Sequence, residues 1–131
     1  MSGNYGGRPR PVGGMELQAW LFMRYSGVVL LALALGHWFI MHVFNSVHVI
    51  DYDFVAGRYA KIFWRGYDLT MLWLAMIHGS NGLRTLADDY LKRPLRVVVV
   101  RGIYAVAVLF LVIGTWVIVT FKPVAGGGML S

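Results

Sequence analysis

Three long apolar runs constrain the fold of this chain more than any other feature of its sequence. The clearest run, Gly102–Phe121, contains no charged residue. Its length of about 20 residues is what a helix needs to cross the hydrocarbon core of a bilayer. Similar runs cover Tyr25–Phe44 and Asp68–Ala87. Because only helices and closed barrels satisfy their backbone in lipid, we predict an all-α membrane protein with three transmembrane helices, at about residues 22–45, 68–89 and 97–121.

The composition agrees with a membrane protein. Of the 131 residues, 58% are hydrophobic and only 14% are charged, and the length fits a single domain, which we place at residues 19–122. The formal net charge of +6 is compatible with nucleic-acid binding. Basic residues beside long apolar runs more simply set membrane orientation, so we predict the lipid bilayer as a partner and no nucleic acid.

The two ends of the chain lack the pattern of regular structure. Glycine and proline dominate Ser2–Gly14, which predicts a flexible cytoplasmic arm over residues 1–18. The apolar run that follows is too long for a signal-peptide core, so we expect no cleavage. Residues 123–131 are rich in glycine and are predicted to form an external tail.

The segment between the first two runs, Asn45–Tyr67, is rich in aromatic residues, which are common at the membrane–water interface. By helical spacing, Val55, Tyr59 and Ile62 fall on one face, with Arg58 on another. This pattern predicts a short amphipathic interfacial helix between spans 1 and 2, and a plain loop is the alternative.

The basic residues are distributed unevenly between the two predicted sides of the membrane. Eight lie in the N-terminal segment or around the connection between the second and third runs, and four lie on the other side. The positive-inside rule therefore predicts a cytoplasmic N-terminus and an external C-terminus. We expect a multi-pass protein of the cell inner (plasma) membrane.

The second run contains a histidine, His78, at its centre. An ionisable side chain at this depth is costly and suggests a function. Gly82 stacks one turn further along the same face, leaving a flat gap beside the imidazole of the kind a bound porphyrin needs. The alternative is a helix–helix contact, in which small residues allow close approach and histidine bonds across the interface. Asp68 is predicted to cap the start of this helix.

The chain contains no cysteine. This excludes a disulfide, a thiolate metal site and covalent haem attachment. A haem bound by this chain would therefore be of the non-covalent b type, and any iron–sulfur cluster would belong to a partner subunit.

Four residues of the second run form the pattern H-x3-G-x6-D-Y, namely His78, Gly82, Asp89 and Tyr90. In this pattern, and in its position within the run, the chain resembles the smaller membrane anchor subunit of succinate:quinone oxidoreductases (succinate dehydrogenase, respiratory complex II). The resemblance implies that His78 is an axial ligand to the iron of a haem b. It also implies that Tyr90 lies at a quinone site with Asp89 in a supporting role, whereas Tyr90 without this resemblance would be read as an interfacial tyrosine.

Further cofactor-binding residues are predicted around this motif. Arg84 follows His78 by nearly two turns and is predicted to face a haem propionate, with snorkelling to the interface as the alternative. Arg24, at the start of the first run, is also predicted to bind the cofactor. Some relatives carry a second haem with a ligand from the first helix, so His42 is kept as a candidate metal ligand. For both His37 and His42 the sequence favours hydrogen-bonded packing.

The resemblance implies a four-subunit complex that transfers electrons from succinate to ubiquinone or menaquinone. A flavoprotein with FAD, an iron–sulfur subunit and a second membrane anchor would be the partners, and the second anchor would supply the other axial haem ligand. This chain would be a non-catalytic subunit of the enzyme. The alternatives are a haem-less structural anchor and the cytochrome b subunit of another membrane oxidoreductase. Three features depart from the pattern: the glycine-rich arm, the extra acid Asp88, and the histidines of the first run.

Overall fold

The computed structural model describes residues 13–122, except for the side chain of Glu16, and the regular structure in this range is entirely helical. The helices are α1 (Gly14–Phe39), α2 (Tyr52–Tyr59), α3 (Ile62–Tyr90) and α4 (Leu95–Thr120). A π-helical turn, Ile40–Phe44, continues α1, and a 3₁₀ turn follows at Val47–Val49. The predicted all-α class is confirmed. The outer part of the predicted arm, residues 1–12, and the tail at 123–131 lie outside the described residues.

Two helical segments of the described chain are long and apolar enough to cross a membrane, Leu17–Phe44 and Leu95–Thr120. Almost none of their side chains are buried within the chain, so their apolar surface is left for lipid or for other helices. Helix α3 is as long, with 29 residues, but polar residues interrupt its apolar run. The third predicted span therefore stays a prediction.

Helix α1 begins at Gly14, earlier than the start expected from hydropathy. Residues 14–18, which the sequence assigned to the flexible arm, therefore form the first turn of this helix. Nothing in their side chains breaks a helix, since the prolines of the arm all precede Gly13.

Helix α2 is the short helix predicted between the first two runs. Asp51 precedes it, and its Oδ1 accepts a hydrogen bond from the Phe54 amide at 2.9 Å, which satisfies one of the free donors at the helix start. The helix ends at Tyr59. Ile62, which the sequence pattern assigned to the same helix, instead begins α3.

Helix α3 begins at Ile62 and not at Asp68, with Lys61 just before its first turn. Asp68 therefore lies inside the helix, and the prediction that it caps the helix is wrong. No residue between Ile62 and Asp68 stops helix formation, and the carboxylate has other partners. Its Oδ1 lies 3.6 Å from His37 Nδ1 and 3.6 Å from Arg58 Nη2.

Helix α3 is the central element and packs between α1 and α4. At Gly114 of α4, an added Cβ would lie only 2.6 Å from Leu72 Cδ2 of α3, so the two helices approach closely because this residue is glycine. One residue further along each helix, Trp73 Nε1 donates to Thr115 Oγ1 at 3.0 Å. These contacts place the two helices side by side.

Arg65, near the start of α3, reaches the end of α4. Its guanidinium donates to the carbonyl oxygens of Ile118 (3.4 Å), Val119 (3.1 Å) and Phe121 (2.6 Å), and its Nε donates to the Tyr59 carbonyl at 2.6 Å. The last carbonyls of a helix have no partners within the helix. Arg65 satisfies them and ties α2, α3 and α4 together at this end.

Candidate functional site

His78 lies near the middle of α3, half-buried against α1. Its Nδ1 is 2.9 Å from Ser26 Oγ of α1. Within residues 13–122 the imidazole makes no second hydrogen bond. One ring nitrogen is therefore held by the neighbouring helix, and Nε2 is available to another group.

Glycine on α1 makes room for this imidazole. A Cβ added at Gly27 would lie 3.2 Å from His78 Cε1, a tight contact that the absent side chain avoids. Gly82, which was predicted to open a gap beside the ring, lies next to Met23 of α1, where an added Cβ would be 3.9 Å from the Met23 methyl. Both glycines thus lie at the contact between α1 and α3.

The groups around His78 fit an axial haem ligand. A ligating histidine commonly bonds through its other ring nitrogen to an oxygen, which fixes the tautomer and the ring orientation, and Ser26 Oγ meets Nδ1 in this way. Residues 13–122 contain no group of three or more His, Asp, Glu or Cys that could hold a metal ion. A haem does not need such a group, because the porphyrin supplies the equatorial ligands and a chain need contribute only an axial one.

The two arginines predicted to bind the cofactor have exposed side chains. The Arg24 guanidinium stacks on the Trp20 ring, 4.0 Å from its centroid. Arg84 lies about 9 Å along the helix axis from His78 and, at about 100° per residue, on a different side of α3. In the described chain no hydrogen bond links either arginine to His78, so both roles stay predictions.

The end of α3 separates the two adjacent aspartates. Asp88 is half-buried, and its Oδ1 lies 2.8 Å from Arg96 Nε at the start of α4, an ion pair without the alignment of a full hydrogen bond. Asp89 and Tyr90 are exposed, and 81% of Tyr90 is accessible at the last position of the helix. Asp88 therefore contributes to the contact between α3 and α4, and Asp89 lies with Tyr90 on the exposed surface at the end of the helix.

A second polar cluster lies at the other end of α3. Asp68 joins His37 of α1 and Arg58 of α2, whose side chain is only 10% exposed. The Asp68 oxygen and the two nitrogen atoms that face it are buried, and at 3.6 Å they form no hydrogen bonds. Burial and the nearby Asp68 carboxylate raise the pKa of the Tyr59 hydroxyl. The cluster ties α1, α2 and α3 together, in agreement with a packing role for His37.

His42 is in the π-helical turn after α1 and is exposed. Its Nδ1 lies 3.1 Å from the Trp38 carbonyl, and its ring stacks on Trp38 with the centroids 5.9 Å apart. Because Ser26 is level with His78, His42 is about 24 Å further along α1. The two histidines cannot ligate the same haem, and His42 remains a candidate only for a second one.

The structure therefore adds three residues that sequence reasoning missed. Ser26 and Gly27 form a pair of small residues in the first apolar run, a common signal of helix contact, but nothing in the sequence pairs them with His78. Arg96 is one of several basic residues near Asp88, and only the fold distinguishes it. Of the residues predicted from the sequence, His78 and Gly82 lie at the same contact between α1 and α3. Arg84 and Tyr90 lie away from that contact.

Comparison with known proteins supplies the family. No curated protein matches the chain. The model of the succinate dehydrogenase/fumarate reductase transmembrane subunit family matches residues 11–121, a range that includes all four α-helices. A transmembrane subunit agrees with the two membrane-length helices. Because the match covers most of the chain, the protein belongs to the succinate dehydrogenase/fumarate reductase transmembrane subunit family.

Proposed function

We propose that this chain is a three-span membrane anchor of a succinate:quinone oxidoreductase that holds a haem b through His78 and helps bind quinone at Tyr90. The family match over residues 11–121 carries the proposal. The third span is supported by the position of α3, which lies along both membrane-length helices. It contacts α1 at Ser26 and α4 at Gly114, so it shares their depth.

The haem proposal rests on the different roles of the two ring nitrogens of His78, one in a hydrogen bond and the other in binding iron. Ser26 holds Nδ1, so the ring keeps one orientation and Nε2 is left to bind iron. A bound haem b supplies an iron that accepts and returns one electron. A second ligand to the iron would come from the other membrane anchor, since His78 is the only histidine at this level of the described helices.

The quinone proposal rests on Tyr90 and its surroundings. Reduction of a quinone builds negative charge on its carbonyl oxygens, and a fixed hydroxyl donor stabilises that charge. Tyr90 is exposed at the end of α3, where its ring can pack in lipid while its hydroxyl faces a polar site. Asp88 and Arg96 hold the following connection, and Asp89 is exposed beside Tyr90.

A haem-less structural anchor is the second candidate, and two contacts favour it. His78 bonds to Ser26 across the α1–α3 interface, and Gly82 faces Met23 in the same interface. Both are contacts that a purely packing histidine would make. In that case the complex would contain no haem that depends on His78.

The test of function uses the whole complex, purified through a tag on this chain. We expect a flavoprotein and an iron–sulfur subunit to co-purify, with succinate:quinone reductase activity. Tyr90→Phe removes only the donor, so quinone reduction should fall about tenfold or more. Succinate oxidation by an artificial acceptor that takes electrons upstream should be unchanged.

Tyr25→Phe is the matched control, because Tyr25 is 70% exposed on α1 and has no proposed role. It should leave both activities unchanged. Equal loss of both activities in Tyr90→Phe would indicate damaged assembly, and full activity in both assays would leave Tyr90 an interfacial tyrosine.

A further inference from the structure

One side of α3 remains uncovered by α1 and α4. Exposed residues recur on this side every seven positions, a spacing that keeps them on one stripe of a helix that packs against a partner. They are Phe63, Thr70, Ile77 and Arg84. We call this row the α3 stripe. Phe63 and Ile77 are large apolar side chains that are 67% and 41% exposed.

Asn81 borders the α3 stripe, four residues beyond Ile77 and therefore one turn away on the same side. It is half-buried, and its side-chain amide makes no hydrogen bond within the part of the chain that the structure describes. It lies nine residues before the end of α3, about 13 Å along the axis. Acyl chains offer an amide no donor or acceptor, so lipid alone would leave it unsatisfied at this depth.

Other exposed surfaces of the chain differ from the α3 stripe in this respect. Residues 105–114 of α4 and 28–36 of α1 are entirely apolar, and much of their surface is exposed. Such surfaces suit lipid without any further partner. The side of α3 that carries Asn81 and Arg84 has polar groups that lipid tails do not satisfy.

We infer that the α3 stripe is the docking surface for a transmembrane helix of a second membrane subunit, and that the Asn81 amide bonds to a polar side chain of that helix. Asparagine commonly forms such bonds between membrane helices. The inference rests on the proposed function for the identity of the partner, the other membrane anchor. Asn81 is three residues from His78, so a helix docked on the stripe passes the same level of α3 as the proposed iron ligand.

The first experiment locates the partner directly. A photo-crosslinking benzophenone side chain is placed at Ile77 of the stripe or, as the matched control, at Leu109, which is 55% exposed on α4. Irradiation of the intact complex in its membrane should join position 77 to the second membrane subunit, and position 109 should give no such product. Crosslinking from both positions, from Leu109 alone, or from neither overturns the assignment of the surface.

The second experiment tests the amide. Asn81→Leu keeps the approximate size of the side chain and removes its hydrogen-bonding groups. Retention of the second membrane subunit on the tagged complex after mild heating in detergent should fall about tenfold, and Leu109→Asn, a change on the α4 surface, should have no such effect. Unchanged retention overturns the role of Asn81. Haem loss with full retention also overturns it, because the amide would then contact the cofactor.

Failure of this inference is distinct from failure of the proposed function. The unmodified complex is assayed first for succinate:quinone reductase activity, which tests the function alone. An active complex without a second membrane subunit would retain that function and contradict the docking surface.

Discussion

One hydroxyl, that of Ser26, fixes the orientation of the histidine that we propose as the haem ligand. Its Oγ lies 2.9 Å from His78 Nδ1, so the imidazole cannot turn freely and Nδ1 is not available to a metal. The depth of His78 in an apolar run was enough to select it from the sequence. Ser26 is 52 residues away in the chain, and no local pattern connects the two positions.

Ser26→Ala is the prediction at the residue scale. Loss of the partner that orients a metal-binding histidine typically reduces metal affinity by about 10- to 100-fold. We expect less haem per purified complex, measured from the reduced-minus-oxidised spectrum. Ser46→Ala is the control, because Ser46 is exposed and its side chain accepts a hydrogen bond from the His48 amide in the 3₁₀ turn. Full haem occupancy in Ser26→Ala would mean that the contact is not needed to orient the ligand.

The different surroundings of the adjacent acids Asp88 and Asp89 also cannot be predicted from the sequence. Asp88 and Asp89 are identical in type and neighbours in the chain, and they precede Tyr90 by two residues and by one residue. The fold separates them, because Asp88 lies with its Oδ1 2.8 Å from Arg96 Nε of α4, whereas Asp89 is exposed at the end of α3. Contacts between residues in different helices depend on packing, which hydropathy does not encode.

Among the helices, the residues at which each one begins and ends are the features that the sequence predicts least well. The existence of α1, α3 and α4 follows from apolar runs of membrane length. The start of α3 does not, because hydropathy drops around Arg65 and Tyr67 while the helix continues through both. Arg65 is tolerated there because its charge meets backbone carbonyls of α4 and not lipid.

Arg65→Leu is the prediction at the element scale. It removes charge-assisted hydrogen bonds to the last carbonyls of α4, each of which is worth about 1.5–3 kcal/mol in favourable cases. We expect a lower thermal unfolding temperature of the complex and faster proteolysis near Lys122. Lys61→Leu is the control, since Lys61 is exposed and its side chain has no contact of this kind. Equal stability of the two variants would show that α4 does not depend on Arg65 for its C-terminal contacts.

The order of the helices could be predicted at the scale of the whole molecule, but their arrangement could not. The uneven distribution of basic residues gave a direction of insertion. That α3 is central, with α1 and α4 on separate sides, emerges only from contacts such as Leu72 with Gly114. This arrangement leaves the α3 stripe open and orients the proposed sites relative to the membrane.

The topology can be tested with single cysteines, because the chain has none of its own. A membrane-impermeant thiol reagent applied to intact cells should label a cysteine at Gly57, where an added Cβ meets nothing within 4 Å. It should not label one at Lys92, in the exposed connection between α3 and α4. The reverse pattern would invert the orientation and move the proposed quinone end to the outer side.

His78 is proposed to bind haem iron in the assembled complex. His78→Leu removes the imidazole and places an apolar side chain at the contact between α1 and α3. The control is His48→Leu, a change at an exposed histidine outside the long helices. The measurement is the reduced-minus-oxidised spectrum of the purified complex, normalised to its flavin content. We predict that the haem b band assigned to this site disappears in His78→Leu and remains in His48→Leu. An unchanged band per flavin in His78→Leu would contradict the account and leave His78 a packing residue between α1 and α3.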